Sequence, residues 1–135
     1  MSLACKVEFR NTLVNYDSLT NIVPSGNIDV GYTEDEIEYP CVFITQVGGG
    51  DTANMGYKNN PTETKRTEEF TYQLDIYSRD SVVQTEQISD NIADVLSLDT
   101  NNIKGLRMTS NLDSAYIDEL KAWHKVVRWK GFMEI

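Results

Sequence analysis

The stretch from residue 69 to residue 97 constrains the fold most, because its hydrophobic period changes once from that of a strand to that of a helix. In its first part every second residue is apolar, as in a strand with one buried face and one solvent-facing face. The apolar positions are Phe70, Tyr72, Leu74 and Ile76, and they alternate with Thr71, Gln73, Asp75 and Tyr77. The later apolar residues recur at helical spacing. They are Ile88, Ile92, Val95 and Leu96. Ser81 and Gln84 have the spacing of a capping box, so the sequence predicts a strand that leads directly into a helix.

Length, composition and charge favour a single folded domain over residues 1–135. Hydrophobic residues make up 40% of the chain, which suffices for a core. The net charge of −9 opposes binding to phosphates and argues against a nucleic-acid-binding protein. No apolar run approaches the roughly 20 residues of a membrane span, and the first residues lack the layout of a signal peptide. We therefore expect a soluble cytoplasmic protein with no membrane partner, although the first residues can include an expression scar.

Other stretches indicate further elements of an α+β domain. Residues 3–17 form a predicted helix, and residues 28–32, 106–110 and 123–133 are predicted to be extended. The helix has an apolar stripe of Cys5, Phe9, Leu13 and Tyr16. Cys41 to Ile44 is apolar on both faces, as in a strand covered on both sides. The last strand has Trp123, Val127, Trp129 and Met133 on one face and His124, Arg128 and Lys130 on the other. This order predicts a mainly antiparallel sheet with two helices packed on one face.

Residues 48–67 carry little hydrophobic pattern and are predicted to be a long flexible hairpin arm between two strands. The residues we assign to this arm are Gly48, Gly49, Gly50, Asp51, Met55, Tyr57 and Lys58. The three glycines can act as a hinge or as a phosphate loop, and the hinge is favoured because no Gly-Lys-Ser/Thr follows. We expect the arm to become ordered on contact with a neighbouring subunit.

No group of residues has the spacing of a catalytic or metal site. His124 is the single histidine, and it pairs with Cys41 as nucleophile and base only if the fold brings them together. Alternation places His124 on a solvent-facing side, while Cys41 lies in an apolar run. Free thiols at Cys5 and Cys41 are favoured over a disulfide. We therefore predict no enzyme activity, no cofactor and no metal ion.

Two charge clusters are candidates for a subunit interface. The acidic cluster consists of Glu34, Asp35, Glu36 and Glu38, and the basic cluster of Lys121, Lys125, Arg128 and Lys130. Solvated surface is the ordinary interpretation of both, and calcium is an alternative for the acidic one, which lacks the glycine and spaced ligands of a dedicated loop. A molecule with one acidic and one basic patch can also pack head to tail and close into a ring.

The order of elements resembles the tail-completion or tail-terminator proteins of long-tailed bacteriophages, with the related minor capsid and head-tail joining proteins. The resemblance covers nearly the whole chain, and two short motifs carry it: Tyr39-Pro40 before a strand, and Asp75 to Arg79 (Asp-Ile-Tyr-Ser-Arg) at the end of another. It implies an α+β subunit that forms a ring, usually of six, at the head-facing end of the tail. The implied partners are other copies of the chain, the tail tube protein and the head-tail connector protein, with DNA only as passing cargo.

Two other functions remain open on the sequence alone. One is a minor capsid or head-tail connector protein, and the other is a protein-binding adaptor domain unrelated to phages. The resemblance to tail-terminator proteins implies that the chain assembles in the host cytoplasm and then remains in the virion tail. The resemblance brings no catalytic residues with it.

Overall fold

The computed structural model describes residues 3–31, 38–51, 67–97 and 103–134, and the side chains of Cys5 and Met133 are among those outside this description. These residues fold into a six-stranded, mostly antiparallel sheet with three helices, an α+β fold. The helices are α1 (Leu3–Val14), α2 (Asp17–Thr20) and α3 (Val82–Ser97), and a 3-10 turn spans Ser25–Asn27. The strands are β1 (Ile28–Val30), β2 (Cys41–Asp51), β3 (Thr67–Ser78), β4 (Ile103–Asn111), β5 (Ala115–Ile117) and β6 (Ala122–Glu134).

The strands are arranged in the order β1-β2-β3-β6-β4, and β5 pairs with the first part of β6 beside β4. Among the described strands, β1 and β2 run parallel, and the neighbours β2 and β3, β3 and β6, and β6 and β4 run antiparallel. The two long central strands, β3 and β6, pair in unbroken register from Thr67 with Glu134 to Ser78 with Trp123. These two strands therefore form the platform on which the other elements pack.

The predicted strand and helix between residues 69 and 97 are confirmed as β3 and α3. Ser81 is the residue before the helix, and its Oγ accepts a hydrogen bond from the backbone N–H of Gln84 at 3.1 Å. This satisfies one of the helix amides that have no partner within the helix. The second half of the predicted capping box is wrong, because the Gln84 side chain accepts from the Ser78 hydroxyl at the end of β3. Gln84 thus ties the helix to the preceding strand.

The core lies on one face of the sheet, here called the helix face, where all three helices pack. Its buried cluster comprises Phe9, Leu13, Leu19, Val23, Ile28, Val42, Ile44, Phe70, Tyr72, Leu74, Ile76, Ile88, Ile92, Val95, Leu96, Ile103, Val127 and Trp129. The Phe9 ring meets those of Phe70 and Tyr72 edge-on, at centroid distances of 5.7 and 5.0 Å. Arg10 fixes the same helix to β1, since its Nε donates to the Ile28 carbonyl at 2.6 Å. The alternation in β3 and the stripe in α3 correctly predicted this core.

The structure differs from the sequence prediction in three respects. The first helix ends at Val14, and a separate short helix begins at Asp17, so the described residues contain three helices rather than two. Residues Ala115–Ile117, for which the sequence analysis predicted no element, form the short strand β5. The last difference is the burial of Asp75, which alternation placed on a solvent face but which is only 1% exposed. We call the side of the sheet away from the helices, which carries Asp75 and His124, the distal face.

Candidate functional site

The distal face holds a polar network that crosses β3 and β6. The Asp75 carboxylate accepts from His124 Nε2 at 2.8 Å and from the Gln73 side-chain amide at 3.2 Å. Gln73 in turn accepts from Arg128 Nε at 3.1 Å through its side-chain oxygen. The Tyr77 ring stacks on His124 at a centroid distance of 4.4 Å. This chain of contacts holds His124 and Arg128 in place, and it leaves the two Nη groups of Arg128 without a hydrogen bond among the described residues.

Cys41 lies on the same face as His124, one strand to the other side of Tyr77, because Tyr77 pairs with both residues. It is a free, buried thiol. Burial, with a smaller contribution from the negative charge of Asp29, raises the pKa of Cys41 from 9.0 to about 12. A thiol with this pKa stays protonated near neutral pH and is a poor nucleophile. The fold therefore brings Cys41 and His124 to one face but gives the sulfur no activation.

The predicted basic cluster divides between the two faces of the sheet. Arg128 and Lys130 lie on the distal face, whereas Lys125 lies on the helix face and is 2% exposed. Lys125 Nζ donates to the Leu112 carbonyl at 2.9 Å and lies 3.2 Å from a Glu86 carboxylate oxygen. Lys121 is exposed in the turn between β5 and β6. Grouping Lys125 with the surface cations was thus wrong, because residues of opposite parity in a strand face opposite sides.

A third cation, which the sequence analysis did not single out, lies beside Arg128 and Lys130 on the distal face. Arg107 in β4 is exposed and pairs directly with Lys130. Its position in an irregular strand, with register shifts on either side, gave no periodic signal. Of the acidic cluster, Glu38 is exposed just before β2, and Glu34, Asp35 and Glu36 lie outside the described residues.

The predicted arm begins later than expected. Gly48, Gly49, Gly50 and Asp51 belong to β2 and pair with residues 68–71 of β3, so placing them in a loop was wrong. The hairpin itself is confirmed, since β2 and β3 are antiparallel neighbours. Glycines weaken a strand signal, but the cross-strand hydrogen bonds of a long neighbour can override that preference. Met55, Tyr57 and Lys58 lie outside the described residues.

The two short motifs that carried the resemblance meet in space. The Arg79 guanidinium lies over the Tyr39 ring at 4.2 Å from its centroid, a cation–π contact. Arg79 Nε and Nη2 also donate to the Leu120 carbonyl at 3.2 and 3.1 Å. The start of β2, the end of β3 and the turn before β6 are therefore joined at one corner of the sheet.

The described ranges contain no cluster of three or more His, Cys, Asp or Glu side chains placed to hold a metal ion. None of the helices in them has the length and apolar character needed to cross a bilayer.

No protein-family model matches the sequence, and no curated protein matches it. The fold does match that of a chain in the solved virion of a native gene transfer agent (GTA) particle. The TM-score is 0.62, the two sequences are 8% identical, and the match covers 94% of this chain and 92% of the other. The shared feature is the fold, and it extends over nearly the whole length of both chains.

Proposed function

We propose that this chain is a structural subunit of a phage-like virion that forms a ring at the head-proximal end of the tail, ends growth of the tail tube and joins the tail to the head. The observation that carries the proposal is the fold shared with a chain of a gene transfer agent virion. The resemblance to tail-terminator proteins at Tyr39-Pro40 and at Asp75 to Arg79 supports the proposed position within the particle. The contact between Tyr39 and Arg79 supports treating the two motifs as one structural unit.

The electrostatics suit a conduit for DNA. A ring of subunits that each carry a net charge of −9 repels phosphates on average, so DNA can slide through its opening without being held. The partners in this assembly are further copies of the chain, the tail tube protein and the head-tail connector protein. Assembly takes place in the host cytoplasm, and the subunit then remains in the virion tail.

Deleting the gene from the strain that produces the particles tests the position at the tail end. We expect tail tubes of unregulated length and heads without tails in negative-stain micrographs, because nothing ends tube growth or joins the two parts. Tails of normal length that fail to attach would instead favour a connector or minor capsid role. Complete particles from the deletion strain would overturn the proposal.

A second experiment concerns the residues between β2 and β3. Replacing residues 53–65 with a short glycine-serine linker keeps the paired parts of both strands. The variant should fold, with an unchanged circular dichroism spectrum, but should fail to restore tails to the deletion strain. The control is Gly26→Ala in the 3-10 turn, where an added methyl group meets open space, and it should restore tails. Full restoration by the linker variant would remove residues 53–65 from the assembly mechanism.

A further inference from the structure

Three cations on the distal face form a basic patch, which we define as Arg107, Arg128 and Lys130. Arg107 and Lys130 are direct cross-strand partners, and Arg128 lies two residues before Lys130 on the same face of β6. Like charges opposite each other on neighbouring strands destabilise a sheet. Glu69 offsets one of the charges through its contact with Lys130 at 2.7 Å. The Arg107 guanidinium makes no hydrogen bond or ion pair with any other described residue, so the patch keeps an excess of positive charge in an acidic protein.

The outer surface of α3 carries the opposite charge. Glu86, Asp90 and Asp94 recur every four residues and form what we call the acidic stripe, and α3 contains no lysine or arginine. The Lys125 ammonium offsets the charge of Glu86, but Asp90 and Asp94 are exposed and form no ion pair with any described residue. Carboxylates four residues apart repel each other, and Asp94 stands near the negative end of the helix dipole. The stripe is therefore locally unfavourable, as the basic patch is.

The two surfaces point in opposite directions. The acidic stripe faces outward from α3, which packs on the helix face, while the basic patch lies on the distal face. Val83, which is 58% exposed, lies on the same outer side of α3 as the stripe and offers apolar contact area there. Complementary patches on opposite sides of one molecule cannot both be satisfied in a two-fold dimer. They can both be satisfied head to tail, and such contacts form a ring when the rotation from one copy to the next closes.

We propose that the basic patch of one copy of this chain docks onto the acidic stripe of a second copy. Each contact relieves two local repulsions, and it covers Val83 together with the flanking carboxylates. The contact rests on the proposed function as a ring subunit, and it names which surfaces of the subunit meet. It replaces the acidic cluster at residues 34–38 by α3 as the partner of the basic residues.

Two charge-reversed variants test the contact by sedimentation velocity. In one variant Arg107→Glu is combined with Arg128→Glu, and in the other Asp90→Lys is combined with Asp94→Lys. Each should lower the association constant by about tenfold or more, because like charges then face each other across the contact. A mixture of the two variants should associate again, because each altered surface meets its altered complement. The control combines Asp118→Lys with Glu119→Lys, which makes the same change in net charge as the aspartate variant at exposed acids outside the stripe.

A pair of milder substitutions tests the same contact if a charge reversal unfolds the chain. Asp90→Asn with Asp94→Asn removes repulsion within α3, so it should leave the helix folded and still weaken association. Raising the salt concentration from about 0.05 to about 0.5 M should weaken the wild-type contact in the same direction.

The possible results distinguish the proposed contact between copies from the proposed function as a ring subunit. If the wild type associates and all the variants do so equally well, the contact is wrong while the ring function stands. If the wild type stays monomeric at every concentration, the contact is wrong, and the micrographs of the deletion strain decide the ring function separately. Loss of association only in a Glu34→Lys and Glu36→Lys variant would assign the acidic partner to that segment and overturn the proposal. Unchanged association with weaker binding of double-stranded DNA by the arginine variant would do the same, because the patch would then bind phosphates.

Discussion

Substitutions at Lys125 test whether this cation is buried, as the structure shows, or belongs to a surface cluster, as its neighbours in sequence suggest. Its ammonium group contacts the Leu112 carbonyl and the Glu86 carboxylate, while its stem lies among buried groups on the helix face. Lys125→Met keeps most of the stem. Leu112 is more than half exposed, and the Glu86 side chain is 46% exposed, so water can replace the lost contacts of both. The free energy of unfolding should then change by no more than about 1 kcal/mol.

Lys125→Glu has a very different expected cost. It places a carboxylate in a buried site where the two groups that contact the Lys125 ammonium are a carbonyl oxygen and a second carboxylate, and neither can donate a hydrogen bond. An uncompensated buried charge costs about 3 to 5 kcal/mol. Arg128→Glu is the matched control, since it makes the same change in charge three residues away on an exposed side chain, and it should cost about 1 kcal/mol or less.

Urea unfolding followed by circular dichroism gives these values, with the slope of each transition checked to confirm that the variants unfold in the same way. The protein concentration is kept where sedimentation shows monomers, because association adds to apparent stability. Equal stability of Lys125→Glu and Arg128→Glu would refute the burial of Lys125. A large loss in Lys125→Met would show that the ammonium contacts, rather than the stem, hold this part of the fold.

Two further predictions concern the thiol and the helix cap. In a Cys5→Ser background, Cys41 should react with iodoacetamide far more slowly when folded than in urea, because at pH 8 a thiol with a pKa of about 12 is ionised in only about one molecule in ten thousand. Since the pKa is raised on folding, the stability that Cys41 contributes should be complete below pH 9.0 and should decline as the pH rises towards about 12, a trend that Cys41→Ala should lack. Rapid alkylation of the folded protein would contradict this burial. Ser81→Ala should lower the free energy of unfolding by about 1 kcal/mol, because it removes the side chain that caps α3. Ser81→Asp should retain the cap and unfold with nearly the free energy of the wild type. Equal losses of stability in both variants would show that the Ser81 hydroxyl is not the capping group.

Part of the candidate site could be predicted from the sequence. Alternation along β6 placed His124, Arg128 and Lys130 on the face opposite the tryptophans, and the structure agrees. The same parity puts Lys125 with the tryptophans, so grouping it with the surface cations by proximity in sequence ignored information that was present. The proposed interface depends on Arg107 as well, and only the pairing of β4 with β6 brings this residue beside Lys130.

The sequence by itself determined the strand and helix between residues 69 and 97, because their periods and the helix cap depend on residues only a few positions apart. It also determined the core stripe of α3 and the start of β2 after Tyr39-Pro40. The tertiary structure alone decided that the triglycine is paired, that Asp75 is buried in a network with His124, and that cations of two strands share one patch. These features depend on pairing between residues distant in the chain, and such pairing leaves no period in the sequence of either partner.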